Sequence, residues 1–159
     1  MTEDEIIAFA RGLEGVTVET ASAESGAPEA AWGDSFVYYD APESDPAPPD
    51  GRWPFATLVV HDYAGFDEAS QLGRDGVFRV NVNVGKRRFE KLVGYPPSQH
   101  AERRGDHDYA RLDTLLPHPE YGQQAWVCVV SPDGGTADLV RELLTEARDR
   151  VAARRSTRV

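Results

Sequence analysis

Residues Val77–Val84 (VFRVNVNV) alternate between apolar and polar side chains, and this alternation constrains the fold more than any other feature of the chain. Successive side chains of a β-strand point to opposite faces of a sheet, so the apolar members of the segment share one face and the polar members share the other. The polar members are Arg79, Asn81 and Asn83. The sequence therefore predicts a sheet with one face packed into a core and one polar face open to solvent or to a ligand.

Other periodicities predict helices at both ends of the chain. Thr2 and Glu5 have the spacing of a capping box ahead of an apolar stripe, and a second stripe begins near Thr136. Strands are predicted at Val16–Thr20, Phe55–Asp62, Val77–Val84 and Ala125–Val130, a hairpin with its turn at Gly33-Asp34, and a short helix at Lys86–Val93. This order predicts an α+β two-layer sandwich, with a mainly antiparallel sheet of about five strands and the N- and C-terminal helices packed on one face.

The length of 159 residues fits a single α+β domain spanning residues 1–159. Within it the composition predicts three segments outside the regular elements. They are a proline-rich loop at 41–53, an irregular polar loop at 94–113 and a frayed tail at 155–159. The proline-rich loop is too short to separate two domains, so we interpret it as an insertion between strands.

The net charge of −10 excludes two classes of partner. Nucleic-acid binding depends on Lys and Arg neutralising phosphates, and anionic membranes attract the same basic residues. We therefore expect no nucleic acid and no membrane as partner. No apolar stretch approaches the roughly 18 residues of a membrane span, and the acidic start lacks the basic region of a signal peptide. We expect a cytoplasmic protein that is a monomer or a homodimer.

Familiar catalytic and metal-binding motifs are missing from the sequence. Gly85-Lys86 is not part of a phosphate-binding loop, because Val80 and Arg87 occupy the positions where that motif needs Gly and Ser or Thr. The four histidines have no metal-ligand spacing, no serine lies in a nucleophile elbow, and Cys128 lies inside an apolar strand. We predict no metal and no cofactor, and the sequence assigns no catalytic residue.

One group of polar residues is a candidate binding site. Its members follow the apolar strand at 55–62, alternate along the strand at 77–84, or lie near the predicted turn at 118–119. Consecutive strands are often neighbours in a sheet, which would bring these residues together. The candidate residues are His61, Asp62, Tyr63, Asp67, Arg79, Asn81, Asn83, His118 and Tyr121.

Three interpretations of this patch remain open. The first is a non-catalytic binding or interaction module whose partner is an unidentified small molecule or protein. The second is a small-molecule enzyme or ligand-binding protein with an acid–base site around His61, Arg79 and His118, because histidine titrates near neutral pH. The third is a solvated sheet face whose polar groups only anchor loops.

Several short segments resemble a bacterial family known as domain of unknown function 6194. The resemblance covers about residues 3 to 153. The segments that carry it are Ala31-Trp-Gly-Asp, Pro54-Phe-Ala-Thr, Asp62-Tyr-Ala-Gly-Phe-Asp, Gly76-Val-Phe-Arg-Val-Asn and His118-Pro-Glu-Tyr-Gly. The pattern of strands and helices is also similar to the MmcQ/YjbR-like proteins, which implies a frataxin-like α/β fold. A DNA-binding role has been suggested for that group, but the net charge of −10 disfavours it here.

Overall fold

The computed structural model describes residues 1–40 and 52–156. Within these ranges it has four α-helices and six β-strands. The helices are α1 (Glu3–Arg11), α2 (Lys86–Val93), α3 (His100–Arg103) and α4 (Ala137–Ser156), and the strands are β1 (Val16–Thr20), β2 (Ser35–Tyr39), β3 (Ala56–Val59), β4 (Arg79–Asn83), β5 (Leu115–Pro117) and β6 (Trp126–Val130). The strands form one open antiparallel sheet in the order β1-β2-β3-β4-β6-β5.

The α+β class is confirmed, and the predicted number of strands is corrected from about five to six. The additional edge strand, β5, has only three residues and ends in Pro117. Three residues are too few to show an alternating pattern. Proline has no N–H to donate to the strand ladder, so it is tolerated in an edge strand such as β5. Sequence periodicity therefore gave no signal for this strand.

One face of the sheet packs against helices to form the main core. Val80 and Val82 of β4 lie on this face and are nearly inaccessible to solvent. They belong to one apolar cluster with α1, α2 and α4, whose buried members include Ile6, Phe89 and Leu144. At about 25 cal/mol per Å² of apolar surface, burial of this face is the main source of stability.

Side-chain oxygens stabilise the chain at the start of both terminal helices. The predicted capping box of α1 is confirmed, because the Thr2 hydroxyl accepts a hydrogen bond from the Glu5 amide at 3.1 Å and the Glu5 carboxylate accepts one from the Thr2 amide. The turn that leads into α4 is held by a distant carboxylate. The Asp113 carboxylate accepts a hydrogen bond from the Thr136 hydroxyl and others from the backbone amides of Asp133, Gly135 and Thr136. The hydroxyl has the largest effect, and together these hydrogen bonds lower the pKa of Asp113 to about 2.

The predicted hairpin at Gly33-Asp34 is wrong. Residues Glu29–Ala31 form a 3₁₀ turn, and β2 pairs with β1 on one side and with β3 on the other. Gly33 has a φ of 92°, and a Cβ at this position would meet the Val60 side chain at 2.9 Å. The glycine is therefore required by close packing at the entrance to β2, and the tight-turn interpretation was mistaken.

Two of the predicted loops are only partly described. Residues 41–51 of the proline-rich loop lie outside the described residues, as do 157–159 of the predicted tail. Residues 155 and 156 belong to α4. The segment 94–113 is more ordered than predicted, because it contains α3 and two 3₁₀ turns. Across residues 1–40 and 52–156, no helix has both the length and the apolar character needed to cross a membrane.

Candidate functional site: a groove over the polar face of the sheet

The polar face of β4 is covered, and the interpretation as a solvated face is wrong for its central residues. Arg79 and Asn81 expose only 1% and 2% of their surface. The chain between β3 and β4 crosses this face and places Asp67 and Ser70 against Arg79. The turn after β5 adds His118 from the opposite side. Buried polar groups of this kind need hydrogen-bond partners inside the protein.

Arg79 is the centre of that polar network. Its Nη1 and Nη2 donate to the two carboxylate oxygens of Asp67 at 3.1 and 2.6 Å, which is the bidentate geometry of a strong ion pair. Nη1 also donates to the Ser70 hydroxyl at 2.9 Å, and Nε donates to the Asn81 side-chain oxygen at 2.7 Å. Asn81 in turn donates to the Thr57 hydroxyl at 3.0 Å. Burial works to lower the pKa of Arg79, but the hydrogen bonds to Asp67 outweigh it and the pKa is raised.

His118 is held in one orientation by the backbone that follows it. Its Nδ1 accepts hydrogen bonds from the amides of Glu120 and Tyr121, both at 3.0 Å. The ring exposes 3% of its surface, and burial together with the nearby Arg79 charge moves the pKa of His118 well below its ordinary value. The imidazole is therefore neutral at pH 7. Because Nδ1 accepts, the single ring proton resides on Nε2.

A groove of about 780 Å³ lies above this polar floor. Its rim is aromatic and remains accessible, with Trp53 70%, Phe66 47% and Tyr121 46% exposed. The rings of Phe66 and Tyr121 meet edge to face with centroids 5.8 Å apart, and Tyr121 lies 4.9 Å from the His118 ring. Phe36, Tyr38 and Trp126 contribute further aromatic lining. The groove thus combines polar groups at its base with aromatic surfaces at its opening.

Among the described residues, the charged side chains around the groove are paired with one another. Asp67 neutralises Arg79 at the floor. At the rim, Arg52 lies 3.8 Å above the Tyr38 ring and forms ion pairs with Asp40 and Glu19. A ligand therefore meets aromatic surface and hydrogen-bonding groups, with little net attraction for a highly charged molecule.

Seven of the nine predicted site residues line this groove. They are Tyr63, Asp67, Arg79, Asn81, Asn83, His118 and Tyr121. Asn83 lies at the end of β4, where its side-chain oxygen accepts a hydrogen bond from Arg150 of α4 at 2.8 Å. The structure brings these residues together, but whether they bind a ligand stays a prediction.

The other two predicted residues, His61 and Asp62, do not line the groove. His61 borders a second cleft of about 700 Å³ near the start of α1. Its Nε2 lies 3.6 Å from a carboxylate oxygen of Asp34, and its Nδ1 contacts the Asp62 carbonyl oxygen at 3.2 Å. The Asp62 carboxylate accepts a hydrogen bond from the Leu72 amide at 2.9 Å, so it stabilises the loop before β4.

Sequence reasoning missed several residues that shape the groove. Asp34 is fully buried and accepts hydrogen bonds from the Tyr63 hydroxyl and from the Val60 amide, which fixes the Tyr63 ring in the groove wall. Ser70 is also fully buried, and no sequence motif surrounds it. Trp126 faces Asn83 across the β4–β6 ladder, so the alternation of β6 is the signal that could have located it.

The groove contains no activated cysteine. Cys128 lies beneath it on β6, and burial raises the pKa of its thiol to about 12, so the reactive thiolate is absent at neutral pH. Among the described residues, no group of three or more His, Cys, Asp or Glu side chains could hold a metal ion.

The segments on which the resemblance to domain of unknown function 6194 was based converge on this groove. Each contributes a residue in the groove or directly behind it: Asp34, Pro54, Tyr63 with Asp67, Arg79 with Asn81, and His118 with Tyr121. A model of that family, described as a family of unknown function (DUF6194), matches residues 1–159. The chain belongs to this family. Comparisons with curated proteins and with solved structures gave no match, and the likeness to the MmcQ/YjbR-like proteins stays a prediction.

Proposed function

We propose that this member of the DUF6194 family is a non-catalytic module that binds a small aromatic or heterocyclic molecule in the groove. One observation carries the proposal: accessible aromatic side chains surround a floor of buried polar groups that are fixed by one another. Fixed polar groups orient a ligand, and aromatic walls supply most of the contact area.

The size of the groove favours a small molecule over a protein segment. A volume of about 780 Å³ falls within the roughly 300–1,000 Å³ of ligand pockets. A stable protein partner would need about 800 Å² of contact on each side, most of it on a flatter surface. The net charge of −10 argues against nucleic acid, because phosphate binding requires an excess of basic residues.

The chemistry of the groove weighs against the acid–base enzyme. Nδ1 of His118 is occupied by two backbone amides and its pKa lies well below the ordinary value, so the ring is a poor general base near neutral pH. His61 faces the second cleft. The pKa of the Tyr63 hydroxyl is raised, first by burial and then by its hydrogen bond to Asp34, so it is a poor nucleophile.

The proposal is tested by thermal-shift screening of aromatic and heterocyclic metabolites, followed by titration with intrinsic tryptophan fluorescence. Two of the three tryptophans, Trp53 and Trp126, line the groove, and the third can be removed as Trp32→Phe to reduce background. A true ligand at one hundred times its Kd stabilises the folded state by about 2.7 kcal/mol, which raises Tm by roughly 5–10 °C for a chain of this size.

Tyr121→Ala localises the effect to the groove. Tyr121 is 46% exposed at the rim, so the substitution should leave Tm nearly unchanged while reducing affinity about tenfold. Leu112→Ala is the matched control, because Leu112 is 48% exposed and is not among the residues that line the groove. Equal affinity in the two variants, or no stabilising compound in a broad aromatic library, would count decisively against the proposal.

A further inference from the structure

Three N–H donors converge on the His118 imidazole. The amides of Glu120 and Tyr121 point to Nδ1, and Nη2 of Arg79 points to Nε2 at 3.3 Å. A neutral imidazole offers only one nitrogen with a free lone pair, and the other carries a proton. One side of the ring must therefore lack a matching partner.

The backbone decides which side this is. If Nδ1 accepts, both amides share one acceptor and both are satisfied. If Nδ1 carried the proton, its N–H would face two amide N–H groups at 3.0 Å, and neither amide would keep its acceptor. The proton is therefore on Nε2, which faces another donor, Nη2 of Arg79.

Two donors consequently meet at the floor of the groove, and none of the described residues places an acceptor between them. Oδ2 of Asp67 lies 3.9 Å from Nε2 of His118 and is too distant for a hydrogen bond. Nη2 of Arg79 already donates one proton to that oxygen, and its second proton points toward His118. Both side chains are more than nine-tenths buried, and both border the groove.

We propose that Nη2 of Arg79 and Nε2 of His118 together bind one carbonyl oxygen of an uncharged, planar ligand whose ring lies among the aromatic side chains of the rim. This inference rests on the proposed function and specifies its ligand class. Two nitrogens 3.3 Å apart can share a single oxygen, because each N–H···O bond spans about 2.9 Å.

The charges indicate an uncharged carbonyl. Asp67 already compensates Arg79, and His118 is neutral, so a carboxylate or phosphate brought to this point would lose its hydration without gaining an unpaired cation. An amide or lactam oxygen accepts two hydrogen bonds at a much smaller desolvation cost. Aromatic amides and heterocycles with a ring carbonyl are therefore the expected ligand class.

The first test needs neither a ligand nor a variant. Nitrogen NMR of the protein labelled in its histidine rings distinguishes the two neutral tautomers and the protonated ring. We expect His118 at pH 7 to be neutral with its proton on Nε2. A proton on Nδ1, or a doubly protonated ring, would overturn the inference even if aromatic ligands bind at the rim.

The second test compares benzamide, benzoate and inorganic phosphate by NMR titration. Benzamide should shift both the Trp53 or Trp126 indole resonances and the His118 Nε2 resonance. Benzoate should bind more weakly, and phosphate should shift neither. Benzoate that binds as tightly as benzamide would overturn the assignment of an uncharged carbonyl.

The variant His118→Asn removes the donor while keeping an oxygen near the position of Nδ1 to accept from the two amides. Loss of one hydrogen bond should reduce the affinity for benzamide about fivefold to tenfold. His61→Asn is the matched control, since His61 borders the other cleft, and it should leave affinity unchanged. Equal affinity of both variants would overturn the inference.

These outcomes separate the two proposals. If benzamide shifts the indole resonances of the rim and leaves His118 unaffected, the groove binds aromatic molecules but the carbonyl assignment fails. If none of the aromatic probes shifts the indole resonances, the proposed function fails and the inference fails with it.

Discussion

The two faces of strand β4 are both buried but are stabilised in different ways. On the helix-covered face, Val80 and Val82 pack into an apolar cluster, and close packing is sufficient. On the groove face, Arg79 and Asn81 are equally inaccessible, yet each depends on specific hydrogen-bond partners. Burial alone therefore does not define an apolar core. Removing one partner from a buried polar network lowers the free energy of unfolding more than removing one methyl group from an apolar face does.

The largest effect is expected from Arg79→Met, which leaves the buried Asp67 carboxylate without its cation. Breaking one side of a buried ion pair costs about 3–5 kcal/mol, so urea unfolding should show a loss of that size. The double variant Arg79→Met/Asp67→Leu should recover much of the loss, because no unpaired charge remains. Arg141→Met is the control, because Arg141 pairs with the fully exposed Asp138. This variant should lose less than about 0.5 kcal/mol of stability. Similar losses for Arg79→Met and Arg141→Met would invalidate the distinction between the faces.

A smaller effect is expected when a hydroxyl replaces a methyl group on each face. Val80→Thr places a hydroxyl in the apolar cluster that the sheet forms with α1, α2 and α4, and we expect a cost of about 1–3 kcal/mol. Val59→Thr, on the adjacent strand, lies on the groove face. Val59 is 7% exposed and packs with Leu72 and Val130, but it also borders the groove and its polar floor, so its cost should be smaller than that of Val80→Thr. Calorimetry of the two variants measures the difference directly, and equal costs would show that the groove floor is as dry as the core.

The smallest effect concerns pH. Burial lowers the pKa of His118 in the folded state. As the pH falls through about 6.5, the ordinary pKa of histidine, the unfolded chain therefore binds a proton at this ring before the folded protein does. His118 therefore makes folding less favourable on acidification, by about 1 kcal/mol between pH 6.5 and 5.5. His118→Asn lacks this proton uptake, so its stability relative to the wild type should improve over that interval. Parallel pH profiles of the two proteins would contradict the buried, neutral state of the ring.

The prediction of the fold succeeded where the signal was periodic. The alternation in Val77–Val84 located β4, and the boundaries predicted for Val16–Thr20 and Lys86–Val93 coincide with β1 and α2. It failed at Gly33-Asp34, because the same dipeptide suits a tight turn and a close contact with a neighbouring strand. It also missed β5, whose three residues are too few for a period.

The order of the strands in the sequence was enough to predict which site residues lie near one another. It was not enough to predict the direction in which each side chain points. Tyr63, Asp67 and Arg79 meet because β3 and β4 are neighbours in the sheet. His61 follows the same strand but faces the other cleft, because its position in the chain says nothing about the direction in which the loop leaves the sheet.

Residue type and local spacing were sufficient to predict the polarity of each face of β4 and the helical ends of the chain, and they show that familiar metal-binding and nucleophile motifs are missing from the sequence. The tertiary structure alone decided that the polar face is covered and that His118, 39 positions from Arg79, presents a donor to it. Hydrogen-bond pairing between distant segments depends on the packing of the whole chain, and no local pattern encodes it.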